Sequence, residues 1–366
     1  MRQVLYLNKL RKLPFTLFGV ISIICSIGFI TLYSAADSNI HPWTYKQIIN
    51  FVIFVPIALI IAVTDLKVIF KVAYLFYFAI LILLFGVELF GSISMGAKRW
   101  IDLGFVRIQP SELTKLAIIL MLARYFHQLK SDASLQFKQI LLPFIAVIIP
   151  AFLIIKQPDL GTGIITLIIA VTIVFAAGLQ IWYFITAGII TISCIPIIWH
   201  MMHDYQKNRV LVFLNPEKEP LGAGYNIIQS KIAIGSGGLF GKGFTNGTQS
   251  HLKFLPERQT DFIFATLSEE FGFAGGLLLI LLYGIAIFIS LMIAANCKTT
   301  FSKLVVVGVT ASLFSHVFIN IAMVMGMLPV VGVPLPFVSF GGTMMGSMLI
   351  GLGLIMNAQI HRNNNV

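Results

Sequence analysis

Asp261 ends the charged stretch PERQTD and stands just before a long run of apolar residues. An ionisable group at the centre of a membrane helix costs about 2.5–3.5 kcal/mol on insertion scales, so such groups pair, face a cavity or do chemistry. Glu112 and Lys115, three apart at the start of one helix, can share a face; Asp159 follows Pro158 just before Gly161; Glu269 lies two helical turns beyond Asp261 on nearly the same face. A carboxyl withdrawn from water has a raised pKa and suits general-base work near neutral pH. The basic residues Lys98, Arg99, Lys115, Arg209, Lys231 and Lys242 are a pool from which a clamp for an anionic leaving group could be drawn, though spacing does not rank them. Structural readings compete with each of these. Glu112 with Lys115 can be a local ion pair, Asp159 a helix cap, and Glu269 and Glu270 partners for cations on neighbouring helices.

Other polar groups carry less. His200, His203 and Asp204 lack further ligands for a metal, so no metal site is assigned. His316 and Asn320, four apart on one helix face, suit hydrogen bonds between helices. Cys25, Cys194 and Cys297 show no pairing or metal spacing and are read as packing residues.

The elements that must position these groups are membrane helices. The chain has 366 residues, 58% hydrophobic and 11% charged, with a mean hydropathy of +0.94, which excludes an ordinary soluble domain. Strand-period alternation is absent, so a barrel is not expected, and neither is a nucleic-acid partner. The expected fold is an all-α integral membrane protein of about ten helices in a single unit, residues 1–366, with spans near 14–33, 46–64, 70–90, 112–128, 139–156, 161–179, 181–201, 263–294, 303–328 and 342–360. The apolar run before Ser34-Ala35-Ala36 is too long for a cleaved leader and reads as a signal anchor. Basic residues at Arg2, Lys9, Arg11 and Lys12, then Lys67 and Lys71, Arg124, Lys130 and Lys138, Lys298 and Lys303, and Arg362 put both termini in the cytoplasm. Gly91 to Ser111, Gln157 to Thr162 and the long loop 202–262 between the seventh and eighth helices then face outward. The first and third hold basic residues against the charge rule, which calls for a reason.

That loop has glycine clusters in LGAGYN and AIGSGGLFGKG, suited to tight turns or to close approach of a ligand. Between them, YNIIQSKIAIG predicts an amphipathic helix at the membrane surface. The segment PVVGVPLPFVSFGG cannot be regular helix, so at membrane depth it must be buried in protein or line a cavity.

GAKRWID, QPSELTK, QPDLGT, GAGYNIIQSKIAIGSGGLFGKG, PERQTDFIFA, EEFG and GMLPVVGVPLPFVSFGGT, in this order and spacing, resemble the RodA/FtsW/SpoVE proteins of bacteria, the SEDS family. The likeness runs from about Lys9 to the last span. The short amino end and PERQTDF are more like RodA, the elongation member, than FtsW, the division member; Gln259, where histidine is common, departs from the pattern.

The resemblance implies a ten-helix peptidoglycan glycosyltransferase of the bacterial cytoplasmic membrane. It would polymerise lipid II, the undecaprenyl-pyrophosphate-linked disaccharide-pentapeptide, on the outer face during elongation and rod-shape maintenance. The implied partners are a class B penicillin-binding protein, elongation-complex membrane proteins and membrane lipid. The family's essential aspartate falls on Asp261, and its tryptophan and glutamate motifs fall on Trp100 and Glu112. With Asp261 as base and one direct displacement, the product should be inverted. A divalent cation, Mg or Mn, would suit a pyrophosphate, yet no ligand set defines one. Trp100 can stack on a sugar or anchor at the interface. The competing readings are a lipid II flippase and a non-enzymatic scaffold for the penicillin-binding protein.

Overall fold

The computed structural model describes residues 12–94, 97–102, 104, 107–129, 137–218, 223–252 and 254–363. Arg2, Lys9, Arg11, Lys130 and Lys253 lie outside the described residues, as do Gly96 and Gly222 of the motifs quoted above.

The chain runs through α1 (Phe15–Ala35), α2 (Trp43–Val63), α3 (Leu66–Phe90), β1 (Ser92–Ser94), β2 (Ala97–Asp102), β3 (Arg107–Ile108), α4 (Pro110–Gln128), α5 (Phe137–Lys156), α6 (Leu160–Ala176), α7 (Ile181–Ser193) and α8 (Ile195–Met201). It continues with α9 (Asp204–Leu214), α10 (Ala223–Ser236), α11 (Thr248–His251), α12 (Ile263–Asn296), α13 (Thr300–Val324) and α14 (Gly342–Ile360). Among the described residues, seven helices are long and apolar enough to cross a membrane: α1, α2, α3, α5, α12, α13 and α14. The α7–α8 pair, bent by 46°, makes an eighth if it is one span. The other two predicted spans are helical but fall short of that test. α4 carries Glu112 and Lys115 in its first turns, and α6 has only 17 residues.

Burial separates centre from rim. Of the apolar stretches, 83% of α14 and 72% of α13 is buried, against 17% of α2 and 22% of α3, which leave most of their apolar side chains for lipid. α4 packs into the same centre, with Glu112, Lys115 and the run Leu116–Ala123 all buried.

Departures from regular helix are met by specific partners. Pro143 and Pro150 remove the N–H groups that would bond the carbonyls of Gln139 and Ala146. The Tyr125 hydroxyl donates to the first at 2.8 Å and the Tyr77 hydroxyl to the second at 2.7 Å. The proline-rich segment is indeed non-helical and buried, with Val333, Leu335, Phe337 and Val338 at most 4% exposed. Its backbone is bonded by Gln47 Nε2 to Ser339 O (2.8 Å), by Tyr283 to Pro336 O and by Asn320 Nδ2 to Val333 O (2.6 Å), while Ser339 Oγ accepts from Leu335 N at 2.7 Å.

Within the helical fold, the segment after α3 forms a three-stranded antiparallel sheet, order β1-β2-β3, and strands of three, six and two residues are too short to show a period in sequence. The predicted amphipathic helix exists as α10: Ile227 and Ala233 are buried, Ile232 stays exposed, and Ser230 Oγ donates to Val324 O of α13 at 2.9 Å.

Gly28 on α1 lies against the broken segment, where an added Cβ would stand 2.7 Å from Val338 Cα and 2.8 Å from Phe337 O. Backbone cannot yield as a side-chain tip does. Gly28→Ala should therefore cost about 1–3 kcal/mol and lower the thermal midpoint in detergent; an unchanged midpoint would contradict this packing.

Candidate functional site

The three segments expected to share one face meet there. Arg99 of β2 donates through Nε to Gln157 O at 3.0 Å and through Nη2 to Pro158 O, which fastens the sheet to the turn before α6. Asp159 caps α6 through Thr162 N (3.3 Å) and accepts from Gln109 Nε2 at 3.0 Å and Ser111 Oγ at 3.4 Å, tying that turn to the start of α4. Asp159 is thus a buried cap, and it also belongs to the charged surroundings of Asp261.

Asp261 sits two residues before α12, on a loop held from three sides. Asn320 Nδ2 of α13 donates to Asp261 O at 2.8 Å and, at the same time, to Val333 O. Ser339 Oγ donates to Thr260 O at 2.6 Å, and Phe340 N to Gln259 O at 2.9 Å. Within the loop, Thr260 N and Phe262 N bond to Glu257 O, and Gly332 lies against the Asp261 carboxylate. The side chain keeps some solvent access in a densely surrounded position. Desolvation raises its pKa to about 6, aided by the negative charges of Glu257 and Asp159 and opposed by Arg209 and Arg99. A carboxyl so placed exchanges its proton near physiological pH, as a general base requires.

The other candidates are dispersed around this point. Lys98 Nζ donates to Glu88 O at 2.7 Å and Leu89 O at 3.2 Å, capping α3. Trp100 is half-buried on β2, paired in register with Ser92. Lys115 is turned into the bundle, bonded to Glu112 Oε1 at 2.9 Å and His316 Nε2 at 2.7 Å. Glu112 also accepts from Ser347 Oγ at 3.1 Å, and His316 Nδ1 lies 2.7 Å from Ser312 O. That pair joins α4, α13 and α14, and removing one member of such a pair costs about 3–5 kcal/mol. Lys242 pairs with Glu269 at 2.7 Å. Lys231 is exposed, runs past Gly326, and makes no ion pair or hydrogen bond among the described residues. Arg209 on α9 is half-buried and contributes to the potential at Asp261.

The glycine-rich run serves the protein itself. α12 breaks at Gly272 (φ +66°), and the run lies against that break: Lys242 N and Gly243 N donate to Glu269 O and Glu270 O, and Phe273 N and Ala274 N donate to Gly238 O and Leu239 O. A Cβ on Gly241 would overlap Glu270 O, so glycine is required there by close approach of backbone rather than of ligand. Glu269, fully buried, accepts at Oε1 from Lys242, Thr248 Oγ1 and Gln249 N, and orders the loop above it.

Among the described residues no three His, Cys, Asp or Glu side chains converge as a metal site. Of the acids that act on Asp261, Asp159 is already bonded by Gln109, Ser111 and Thr162, and Glu257 by Gln259 and Thr260, so the residues present do not form a metal cage. The sequence marked Asn320 for hydrogen bonds between helices but not for its two bonds to the Asp261 loop and the non-helical segment, and it gave Glu257 no role. A lone amide in an apolar helix followed by a non-helical segment was the available signal for Asn320.

Residues 8–364 match the model of the FtsW/RodA/SpoVE family, described as cell cycle protein. The peptidoglycan glycosyltransferase MrdB of Escherichia coli (strain K12) is 50% identical over 288 residues, 78% of this chain and 77% of that protein. The peptidoglycan glycosyltransferase RodA of Treponema pallidum (strain Nichols) is 31% identical over 408 residues, 91% of this chain and 94% of that one. Among solved structures, a chain from a peptidoglycan synthase complex, described as coordinating polymerization and crosslinking, matches with a TM-score of 0.83 and 30% identity over 96% of this chain and 99% of its own. The rod shape determining protein RodA of Thermus thermophilus matches with a TM-score of 0.73 and 26% identity over 96% and 98%.

Asn320→Ala leaves Asp261 O and Val333 O without their donor. Hydrogen exchange should speed up in peptides covering 257–262 and 331–340 and stay unchanged in α2 and α3; identical exchange throughout would remove Asn320 from its positioning role.

Proposed function

This chain belongs to the FtsW/RodA/SpoVE family, and on that footing we propose that Asp261 is the base with which it polymerises lipid II. The protein is a multi-pass membrane peptidoglycan glycosyltransferase. In the proposed step the Asp261 carboxylate accepts the proton of an attacking sugar hydroxyl. That oxygen forms a bond to the anomeric carbon of a second sugar, and the bond from that carbon to the pyrophosphate breaks, releasing the undecaprenyl carrier. A single displacement inverts the anomeric centre. The observation that carries the assignment is the placement of Asp261, anchored by backbone and flanked by both acids and cations.

Cations must stabilise the departing pyrophosphate. Lys231 and Arg99 are the strongest candidates, Lys231 because its ammonium is unengaged among the described residues, and Arg99 because the turn before α6 holds its guanidinium beside Asp261. Arg209 shares that field. Lys98, Lys115 and Lys242 already serve as a helix cap, a buried pair and a loop anchor, and support the site indirectly. Trp100 and Glu112 are assigned by resemblance, Trp100 as a sugar contact and Glu112 through the pair that fixes the start of α4.

The basic groups Lys71, Arg124, Lys298 and Arg362 gather at the end of the bundle away from Asp261. Under the positive-inside rule that end is cytoplasmic, both termini lie there, and Asp261 faces outward from the inner membrane. A class B penicillin-binding protein is the proposed partner, by analogy with the synthase complex whose chain this one resembles. The role in elongation follows from the likeness to RodA, and residues 1–366 act as one membrane unit.

The Glu112–Lys115–His316 cluster is the feature that would suit lipid transport instead. The void beside it is only about 10 Å³, room for a water and not for a headgroup.

Purified protein, alone and with its penicillin-binding partner, should convert lipid II to glycan, and Asp261→Asn should lose about 10²–10⁴-fold in rate while unfolding at the same temperature as wild type. Turnover near normal in that variant would sink the assignment.

A further inference from the structure

A cavity of about 430 Å³ opens beside the loop that carries Asp261, on the side facing the α1–α2 turn. One wall is that turn, with Asp37, Pro42 and Trp43; the other is the start of the Asp261 loop, with Pro256, Arg258 and Gln259. The walls are joined by an ion pair, Arg258 Nη2 to Asp37 Oδ2 at 3.0 Å, with the guanidinium side chain 7% exposed and the carboxylate side chain 46%. Arg258 also bonds Ser250 O, and His251 Nδ1 lies 3.1 Å from Asp37. None of these groups has a place in the displacement described above.

The lining selects a chemical class. The cation is matched by its own carboxylate, so a pyrophosphate finds no unpaired positive charge to bind, and burial of Asp37 is outweighed by Arg258 and His251, which hold its carboxyl below the usual range. An apolar chain would leave Asp37, Arg258 and Gln259 facing hydrocarbon. What remains is an uncharged ligand rich in both donors and acceptors, with one face able to lie against an aromatic side chain, and Trp43 is in the lining. Saccharide has that character, and the volume falls within the range of small-molecule sites. The position is equally specific. Gln259 is two residues from Asp261, and its carbonyl is fixed by Phe340 N, so a ligand here would be held against the same rigid loop as the base.

We propose that this cavity binds the uncharged sugar units of a glycan strand and holds the strand beside Asp261 between additions. The proposal rests on the glycosyltransferase reading and names a subsite for that reaction.

Binding of chitotetraose, an uncharged N-acetylglucosamine oligomer, to the full-length protein in detergent tests it by calorimetry. Wild type should bind saturably at millimolar concentration, and inorganic pyrophosphate should not displace the sugar. Trp43→Ala should bind about tenfold more weakly, the loss of one stacked ring, and Trp43→Phe should recover most of that. Gln259→Ala, on the facing wall, should weaken binding as well and provides the test should Trp43→Ala fail to fold. Asp261→Asn should bind like wild type, so that the outcome is independent of turnover; failure of polymerisation alone would overturn the function and not the subsite. No saturable binding by wild type, displacement by pyrophosphate, or equal affinity in folded Trp43→Ala and Gln259→Ala would overturn the subsite.

Discussion

Backbone that leaves helical geometry inside a membrane bundle must find its hydrogen bonds within the protein, and here one side-chain amide serves two such stretches at once. Asn320 Nδ2 donates to Val333 O in the non-helical segment and to Asp261 O at the end of the long loop before α12. Gln47, Tyr283 and Ser339 bond three further backbone groups of that segment, Ser339 O, Pro336 O and Leu335 N. The segment is therefore rigid, and the loop bonded to it through Ser339 Oγ and Phe340 N inherits that rigidity. An acid can be held near hydrocarbon, with a raised pKa, only where its backbone has no freedom to carry it into water.

Charge is distributed on the same plan. The fully buried Glu269 is surrounded by donors from the loop it orders, and Asp159 is consumed as a cap that also ties α4 to α6. Glu112 and Lys115 satisfy each other within the bundle. Against this background of paired groups Asp261 stands out, with acids and cations around it at longer range and its carboxylate left to respond to solvent and ligand. Neutralising most buried charge locally lets the field at one point be set by a few residues: Glu257, Asp159, Arg209 and Arg99.

Much of this was legible in the residues. Composition and apolar runs located every long helix, because a span needs a length of apolar sequence that little else in a chain requires. The proline-rich segment could not be regular helix and had to be buried or line a cavity; it is non-helical, with Val333, Leu335, Phe337 and Val338 buried. Asp261 was conspicuous as an acid beside hydrocarbon. The short strands after α3 were not legible, since they are too short to show a period and Arg99 of β2 is fastened to the carbonyls before α6, contacts distant in sequence. The glycine run suited tight turns or close approach of a ligand, but its packing against the break at Gly272, some thirty residues away, leaves no trace in periodicity. Likewise, the cations looked equivalent in sequence and are distinguished only by what each one touches.

The central claim is that the fold raises the pKa of Asp261 to make it the base, and the pH dependence of the initial polymerisation rate tests it most directly. The reactive form is the carboxylate, and its pKa is raised to about 6. The rate should therefore rise with pH through about 6 and level off above it, and that inflection should vanish from the residual activity of Asp261→Asn. A rate already at its plateau at pH 5, as an ordinary aspartate with a pKa of about 3.9 would give, or an inflection that persists in the Asn variant, would contradict the account.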